Sequence, residues 1–585
     1  MPRTAARSEG PPGQHDAPAP DLPKSGPESG TETRPAPARP GSNPQPSRAA
    51  GSARLDRPVF FTALGVIAAL VLAAAVFPSE FTDVTAAVLA GLVTNFGWAF
   101  VATATGFVAF ALFLVFSRYG KIRLGRDDEK PRYSTPSWIA MMFSAGMGIG
   151  LMFYGVTEPI SHYLTPPVEG IEPGTPAAAR QAMNYTLFHW AIHPWAIYAV
   201  VGLALAYSAY RKGRGAGFSG AFLPLFRGRP APGALRAIDV FAIFATLFGS
   251  ATSLGLGVMQ INGGLTEVFG TGSSLGLQIG IIALLTICFV VSAVSGISRG
   301  IKWLSNGNMI LALALLFFLF VVGPTVFILE LIPASAGSYL VSLPQMASRT
   351  GAFGGHEWLS TWTIFYWAWW ISWTPFVGSF LAKISRGRTI REFVIGVVAV
   401  PSVISVIWFS VWGGTAITAQ NSGTDIAAAN AESQESAMFA LLADYPLAAI
   451  TSVVVVLLVA VFFISGADAS SIVLGSLSSF GAAVPPKWIT VLWGLLTGAV
   501  AAVLLWVGSL QALQTLTIIA AAPFLLIMIG LCTALMMDLV RDPAVTGARP
   551  ASLREARQRR ARSASLREAR QRRARLLRGR RRQLQ

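Results

Sequence analysis

The sequence predicts an all-α membrane protein of twelve spans, and three observations carry that expectation. Of its 585 residues, 53% are hydrophobic and only 12% charged, about half the charge of a water-soluble domain. The apolar residues arrive in uninterrupted stretches long enough for the ~20 residues that cross a bilayer. The loops between those stretches are sorted by charge. With spans centred near Leu64, Phe100, Met147, Tyr198, Gly249, Ile282, Leu315, Trp370, Ile404, Leu458, Leu496 and Leu525, one set of loops holds 19 Lys and Arg residues. The other set holds only Arg180 and Arg349. That split follows the positive-inside rule and places both termini in the cytoplasm.

The ends of the chain differ from its middle. Residues 1–57, rich in Pro, Gly, Ser and Ala, read as a disordered arm, 58–540 as the membrane unit and 541–585 as a basic tail. Of the net charge of +17, +12 sits in residues 551–585, which hold 14 Arg and 2 Glu in a direct repeat that begins at Ser552 and again at Ser565. A tail this cationic is either a solvated positive-inside end or a segment that orders against anionic lipid. Because the excess is confined to it and to short loops, nucleic acid is not the expected partner. Cys288 and Cys532 fall in apolar runs and read as small core residues.

Three spans carry the chemistry. In the third, Gly146, Gly148 and Gly150 stand two residues apart. Helix packing would favour a spacing of four, so the pattern fits either a flexible seam or a helix opened to let its backbone approach a ligand. In the eighth, Tyr366, Trp369, Trp370 and Trp373 share one helix face, with Trp362 beside them and Trp367 at the edge. In the fourth, Trp190, Trp195 and Tyr198 surround Pro194, which should kink the helix. The aromatic residues suit either a bulky core or a box of ring faces. Such a box binds a quaternary ammonium, which has no N–H to donate, by cation–π attraction of ~2 kcal/mol or more per desolvated ring. His189 and His193, four apart, read as hydrogen-bonded core histidines in preference to metal ligands, and no set of side chains is arranged for catalysis. An enzyme is not expected. Asp468, in the apolar tenth span, reads as a coupling residue or a structural hydrogen-bond hub.

The stretches Met142 to Pro159, His189 to Tyr198 and Phe365 to Phe376 together resemble the betaine/choline/carnitine transporter (BCCT) family across residues 58–540. The likeness is greatest to its sodium-coupled glycine betaine symporters. The resemblance implies two inverted five-helix repeats, about 137–335 and 357–540, of the amino-acid/sodium symporter type. A homotrimer in the bacterial inner membrane is also implied. It places Trp190, Trp195, Tyr198, Trp369, Trp370 and Trp373 around a trimethylammonium group, and the backbone of Gly146, Met147, Gly148 and Gly150 beside a carboxylate. One Na⁺ would use Thr246, Ser250 and Phe376; a second would use Ser144, Met147, Phe462, Ser465 and Gly466. At Gly466 the chain departs from the sodium-coupled pattern, which has a hydroxyl there. Choline carriers place an Asp within the glycine motif; neutral Gly150 favours a zwitterion. The expected function is Na⁺-coupled import of glycine betaine, with no cofactor. Proton coupling through Asp468, another substrate (ectoine, proline, carnitine or choline) and a non-transporting betaine sensor stand as alternatives.

Overall fold

The computed structural model describes residues 55–546 apart from 147, 216, 227–230, 296–297 and 483. The side chains of 143–146, 293–295 and 298–306 also lie outside the description. The arm at 1–54 and the arginine-rich repeat are among the residues not described.

The described residues form helices and no named strand. The main ones are α1 (Arg57–Val76), α2 (Pro78–Phe116), α3 (Thr135–Gly146), α4 (Ile149–Leu164), α5 (Pro176–Trp190), α6 (Ile192–Ala206) and α7 (Pro232–Phe269). After them come α8 (Leu275–Ser295), α9 (Ser298–Val322), α10 (Thr325–Ala347), α11 (Phe365–Ile384), α12 (Ile390–Asn421), α13 (Ala448–Leu477) and α14 (Lys487–Val540). Nine helices among the described residues are long and apolar enough to cross a membrane. Each predicted centre lies on a helix except Met147, which falls outside the described residues between α3 and α4. The last two centres share α14, which is two helices joined at Gly508 and Ser509, where the backbone leaves the helical region.

One helix was not foreseen. α10 spans 23 residues between the predicted seventh and eighth spans and counts among the nine. Glu330, Pro333 and Pro344 lie within it, yet it is as apolar as α7, so the twelve-span count left in a loop a helix that hydropathy itself marks.

The core runs along α7, buried almost continuously from Ala242 to Asn262, in contact with α13 and α14. α11 packs against α6, α7 and α14. The basic loops meet at one face. Leu124 N–H donates to Arg388 O (2.8 Å), Gly387 N–H to Leu124 O (2.8 Å) and Ile390 N–H to Ile122 O (2.9 Å). Arg211 pairs with Asp127 (2.5 Å) and with Asp542 (2.7 Å), just beyond α14. Burial raises the Asp542 carboxyl, but hydrogen bonds from Arg211, Tyr207 and the Ala544 N–H outweigh it and hold it at about 2. Near α1, Asp56 lies 3.5 Å from Arg236 and its N–H donates to Ser478 O. Loops that the charge count assigned to one side are thus in mutual contact.

Candidate functional site

The site is built where two helices break. α3 ends at Gly146 and α4 begins at Ile149, with Gly148 in extended backbone. The spaced glycines open this span. Gly148 has open space around the position a Cβ would take, whereas at Gly150 a Cβ would meet Trp369 Cη2 at 2.7 Å and Trp190 Cη2 at 2.8 Å. Only glycine lets the start of α4 approach both indoles so closely.

The second break separates α5 from α6 at Ala191 (φ −103°, ψ −111°). Pro194 follows in the first turn of α6, where a missing N–H costs least. The break frees carbonyls that a membrane interior cannot leave bare. His189 O accepts the Trp370 indole N–H (2.9 Å), and Trp190 O accepts the Ser405 hydroxyl (2.8 Å). The predicted kink is therefore present, displaced three residues from the proline.

Between these breaks lies a cavity of about 330 Å³. It is lined by Gly148 and Gly150 at the start of α4, by Trp190, Trp195 and Tyr198 around the second break, and by Trp369, Trp370, Trp373 and Phe376 from α11. The predicted aromatic sets thus converge. Trp369 and Trp370 stack at 4.8 Å with planes 15° apart, and Trp190 stands against Trp370 at 4.9 Å and 76°. Tyr198 closes on Trp370 at 6.1 Å. The indole N–H groups are spent on the scaffold: Trp369 on Ser253 Oγ (3.0 Å), Trp373 on Gly249 O (3.0 Å) and Trp190 on Glu158 Oε2 (2.7 Å). With these donors engaged elsewhere, the rings offer the cavity their electron-rich faces. No Asp, Glu, Lys, Arg or His is among its described lining residues.

Other members of the eighth-span cluster turn elsewhere. Tyr366 donates to Glu158 Oε2 (2.5 Å), and Trp367 is buried against His193 (5.2 Å, 18°). Trp362 lines a second cavity, also about 330 Å³, with Tyr154, Phe365, Gln434, Gln511 and Gln514. Tyr154 lies 6.1 Å from both Trp190 and Trp369, and Phe365 stacks on Trp369 at 5.6 Å. These rings stand between the two cavities. From this barrier the first cavity follows α11 from Trp369 to Phe380, toward the basic-loop face.

Of the residues assigned to the first cation position, Ser250 and Phe376 line the cavity. Thr246, buried one helical turn away on α7, donates to Ala242 O (2.7 Å). Of those assigned to the second, Phe462, Ser465 and Gly466 line it, while Met147 and the Ser144 side chain lie outside the described residues. Gly466 has open space where a Cβ would stand. Asp468 is half-buried on α13, is not in the cavity lining, and makes no hydrogen bond or ion pair among the described residues.

Sequence reasoning missed Glu158. It sits beside Pro159 inside α4, and only the fold brings it to His189, with Oε1 2.6 Å from Nδ1. His189 is indeed a hydrogen-bonded core histidine, as is His193, whose Nε2 lies 3.4 Å from Thr105 Oγ1. The break at Ala191 separates them, so the four-residue spacing does not set both on one continuous helix.

A many-helix membrane protein with an uncharged, aromatic-lined cavity between broken helices has the anatomy of a small-molecule carrier. Residues 58–544 match the BCCT, betaine/carnitine/choline family transporter, family, and the chain belongs to it. It is 45% identical over 486 residues to the glycine betaine transporter OpuD of Bacillus subtilis, covering 83% of this chain and 94% of the relative. The betaine/ectoine transporter LcoP of Corynebacterium glutamicum is 43% identical over 507 residues (85% of this chain, 80% of the relative). An ectoine/hydroxyectoine transporter of Virgibacillus pantothenticus is 39% identical over 476 (81% and 95%). As a member of a transporter family, the chain is a carrier and not an enzyme.

Proposed function

We propose that this chain imports glycine betaine by Na⁺ symport. One observation supports the reading above others: indoles whose N–H groups are bonded to the scaffold meet around an uncharged cavity. A trimethylammonium group asks for such a surface, because it gains from ring faces and has no use for hydrogen-bond partners. The backbone at Gly148 and Gly150 then serves the substrate carboxylate. Ser250, Thr246 and Phe376 are proposed for one Na⁺. Phe462, Ser465 and Gly466, with Ser144 and Met147, are proposed for the second. A cavity extending toward the basic loops, with a ring barrier on its other side, fits the inward-facing stage of alternating access. In this reading both termini are cytoplasmic, the membrane is the bacterial inner membrane, and the spans form two inverted repeats in a homotrimer. The tail engages anionic lipid.

Uptake of labelled glycine betaine into proteoliposomes tests this. Replacing external Na⁺ by K⁺ is expected to abolish uptake, and a pH gradient without Na⁺ is expected not to restore it. Undiminished uptake in K⁺ would remove the sodium assignment and leave Asp468 as the candidate for proton coupling. Ectoine is the second substrate to try. Asn308 lines the cavity, and its Oδ1, without a hydrogen bond among the described residues, can accept an N–H that betaine lacks.

A further inference from the structure

Behind the aromatic corner lies a carboxylate that the transport reading leaves unused. Glu158 is fully buried on α4, about two turns beyond Gly150. Its Oε2 accepts both the Trp190 indole N–H (2.7 Å) and the Tyr366 hydroxyl (2.5 Å). Its Oε1 lies 2.6 Å from His189 Nδ1 and 3.5 Å from His162 Nε2. His189 Nε2 is 3.0 Å from Thr363 Oγ1, and both imidazoles are buried. No Lys or Arg pairs with Glu158 among the described residues; Arg349 instead covers Trp358 and donates to Tyr185 Oη (3.1 Å). Although the donor atoms of Glu158, His162 and His189 lie within 4.8 Å of one another, Oε1 and Nδ1 already touch, which leaves no gap between them for an ion.

Oε2 accepts two short bonds, a load that suits an ionised carboxylate, and Glu158 is taken as ionised. A carboxylate this deep in a membrane protein, with two buried imidazoles but no Lys or Arg beside it among the described residues, is costly, and a further positive charge nearby would stabilise it. Trp190 connects it to the place where that charge arrives: its N–H edge is bonded to Glu158, and the same ring lines the cavity.

We infer that Glu158 is the buried counter-charge for the substrate's ammonium group and sets the carrier's preference for a cationic head, acting through Trp190. The inference rests on the quaternary-ammonium reading. Two effects act together. Across the width of one indole, in a medium of low dielectric, a negative charge is weakly screened. An N–H donated to an anion also polarises the ring toward its face, which strengthens cation–π attraction. The cavity needs no acidic residue of its own, and the zwitterion's carboxylate meets no repulsion from its lining.

The test uses two ligands of one shape, glycine betaine and 3,3-dimethylbutanoate, in which carbon replaces the nitrogen and the head is neutral. Uptake kinetics and competitive inhibition are measured on the full chain in proteoliposomes. In Glu158→Gln, the KM for betaine is expected to rise about tenfold or more, with Vmax less affected and the inhibition constant of dimethylbutanoate within about twofold. Parallel loss of both ligands would make Glu158 a packing residue and overturn the inference, as would an unchanged betaine KM. Tyr366→Phe and Glu158→Asp keep the charge, and both are expected to retain the preference for betaine within about threefold. If Glu158→Gln does not reach the membrane, loss of the preference in either charge-keeping variant overturns the inference. A wild-type chain that takes up no quaternary ammonium would instead refute the proposed function beneath it.

Discussion

On the aromatic side of the cavity, the indole N–H groups of Trp190, Trp369, Trp370 and Trp373 are each tied to an oxygen of another element. On the α13 side, among the described residues, Ser465 bonds only to its own helix and Gly466 has no atom near the place of a Cβ. The first wall holds its rings by bonds to α4, α5 and α7; the second has slack. The contrast teaches that the surfaces proposed for the organic cation are held in place, whereas the α13 residues proposed for the second Na⁺ stand where a residue can change without disturbing a described neighbour.

The comparison breaks or sharpens at four positions. The largest effect is expected at Gly150→Ala, where the added methyl meets two indoles at under 3 Å. Betaine uptake should fall ~100-fold or more while the protein still inserts, because small displacements at a binding site cost that much. Uptake within a few-fold of wild type would show the aromatic wall to be yielding. Trp373→Leu comes next. Loss of one ring should raise the betaine KM about thirtyfold, and an unaltered KM would exclude Trp373 from the site.

A substitution on the slack wall should act differently. Gly466→Ser adds a hydroxyl into open space, so the betaine KM should hold while half-activation by Na⁺ falls about fivefold, the worth of one added ligand oxygen. A loss of betaine affinity without a change in Na⁺ response would show that this wall also contacts the substrate. The smallest effect is expected at Asp468→Asn, which leaves the cavity lining intact. Na⁺-driven uptake and its pH profile should stay within about twofold. A displaced pH profile would instead favour proton coupling there.

Much of this was legible in the sequence, for identifiable physical reasons. Hydropathy marks a span because the bilayer imposes length and composition together, so every predicted centre but Met147 fell on a described helix. α10 was missed although it is as apolar as α7; a count of twelve spans left no place for it between the seventh and the eighth. The glycine spacing fits either a flexible seam or an opened helix; α3 and α4 are separate helices there, and the closeness of Trp190 and Trp369 accounts for Gly150. Glu158 was not legible. Beside a proline in an apolar stretch, it shows nothing of its partners on α5 and α11, which lie 31 to 208 residues away along the chain. Likewise, the histidine pair looked like a single motif only while α5 and α6 were taken as one helix.

The face-to-face stacking of Trp369 on Trp370, at 4.8 Å and 15°, also has an optical consequence. Two parallel indoles in contact share their electronic excitation, so the pair should give a coupled near-ultraviolet circular dichroism signal apart from that of isolated tryptophans. A cation settling against that stack alters the coupling directly. The carrier thus contains its own chromophore at the proposed point of recognition, and occupancy should be readable in unlabelled protein.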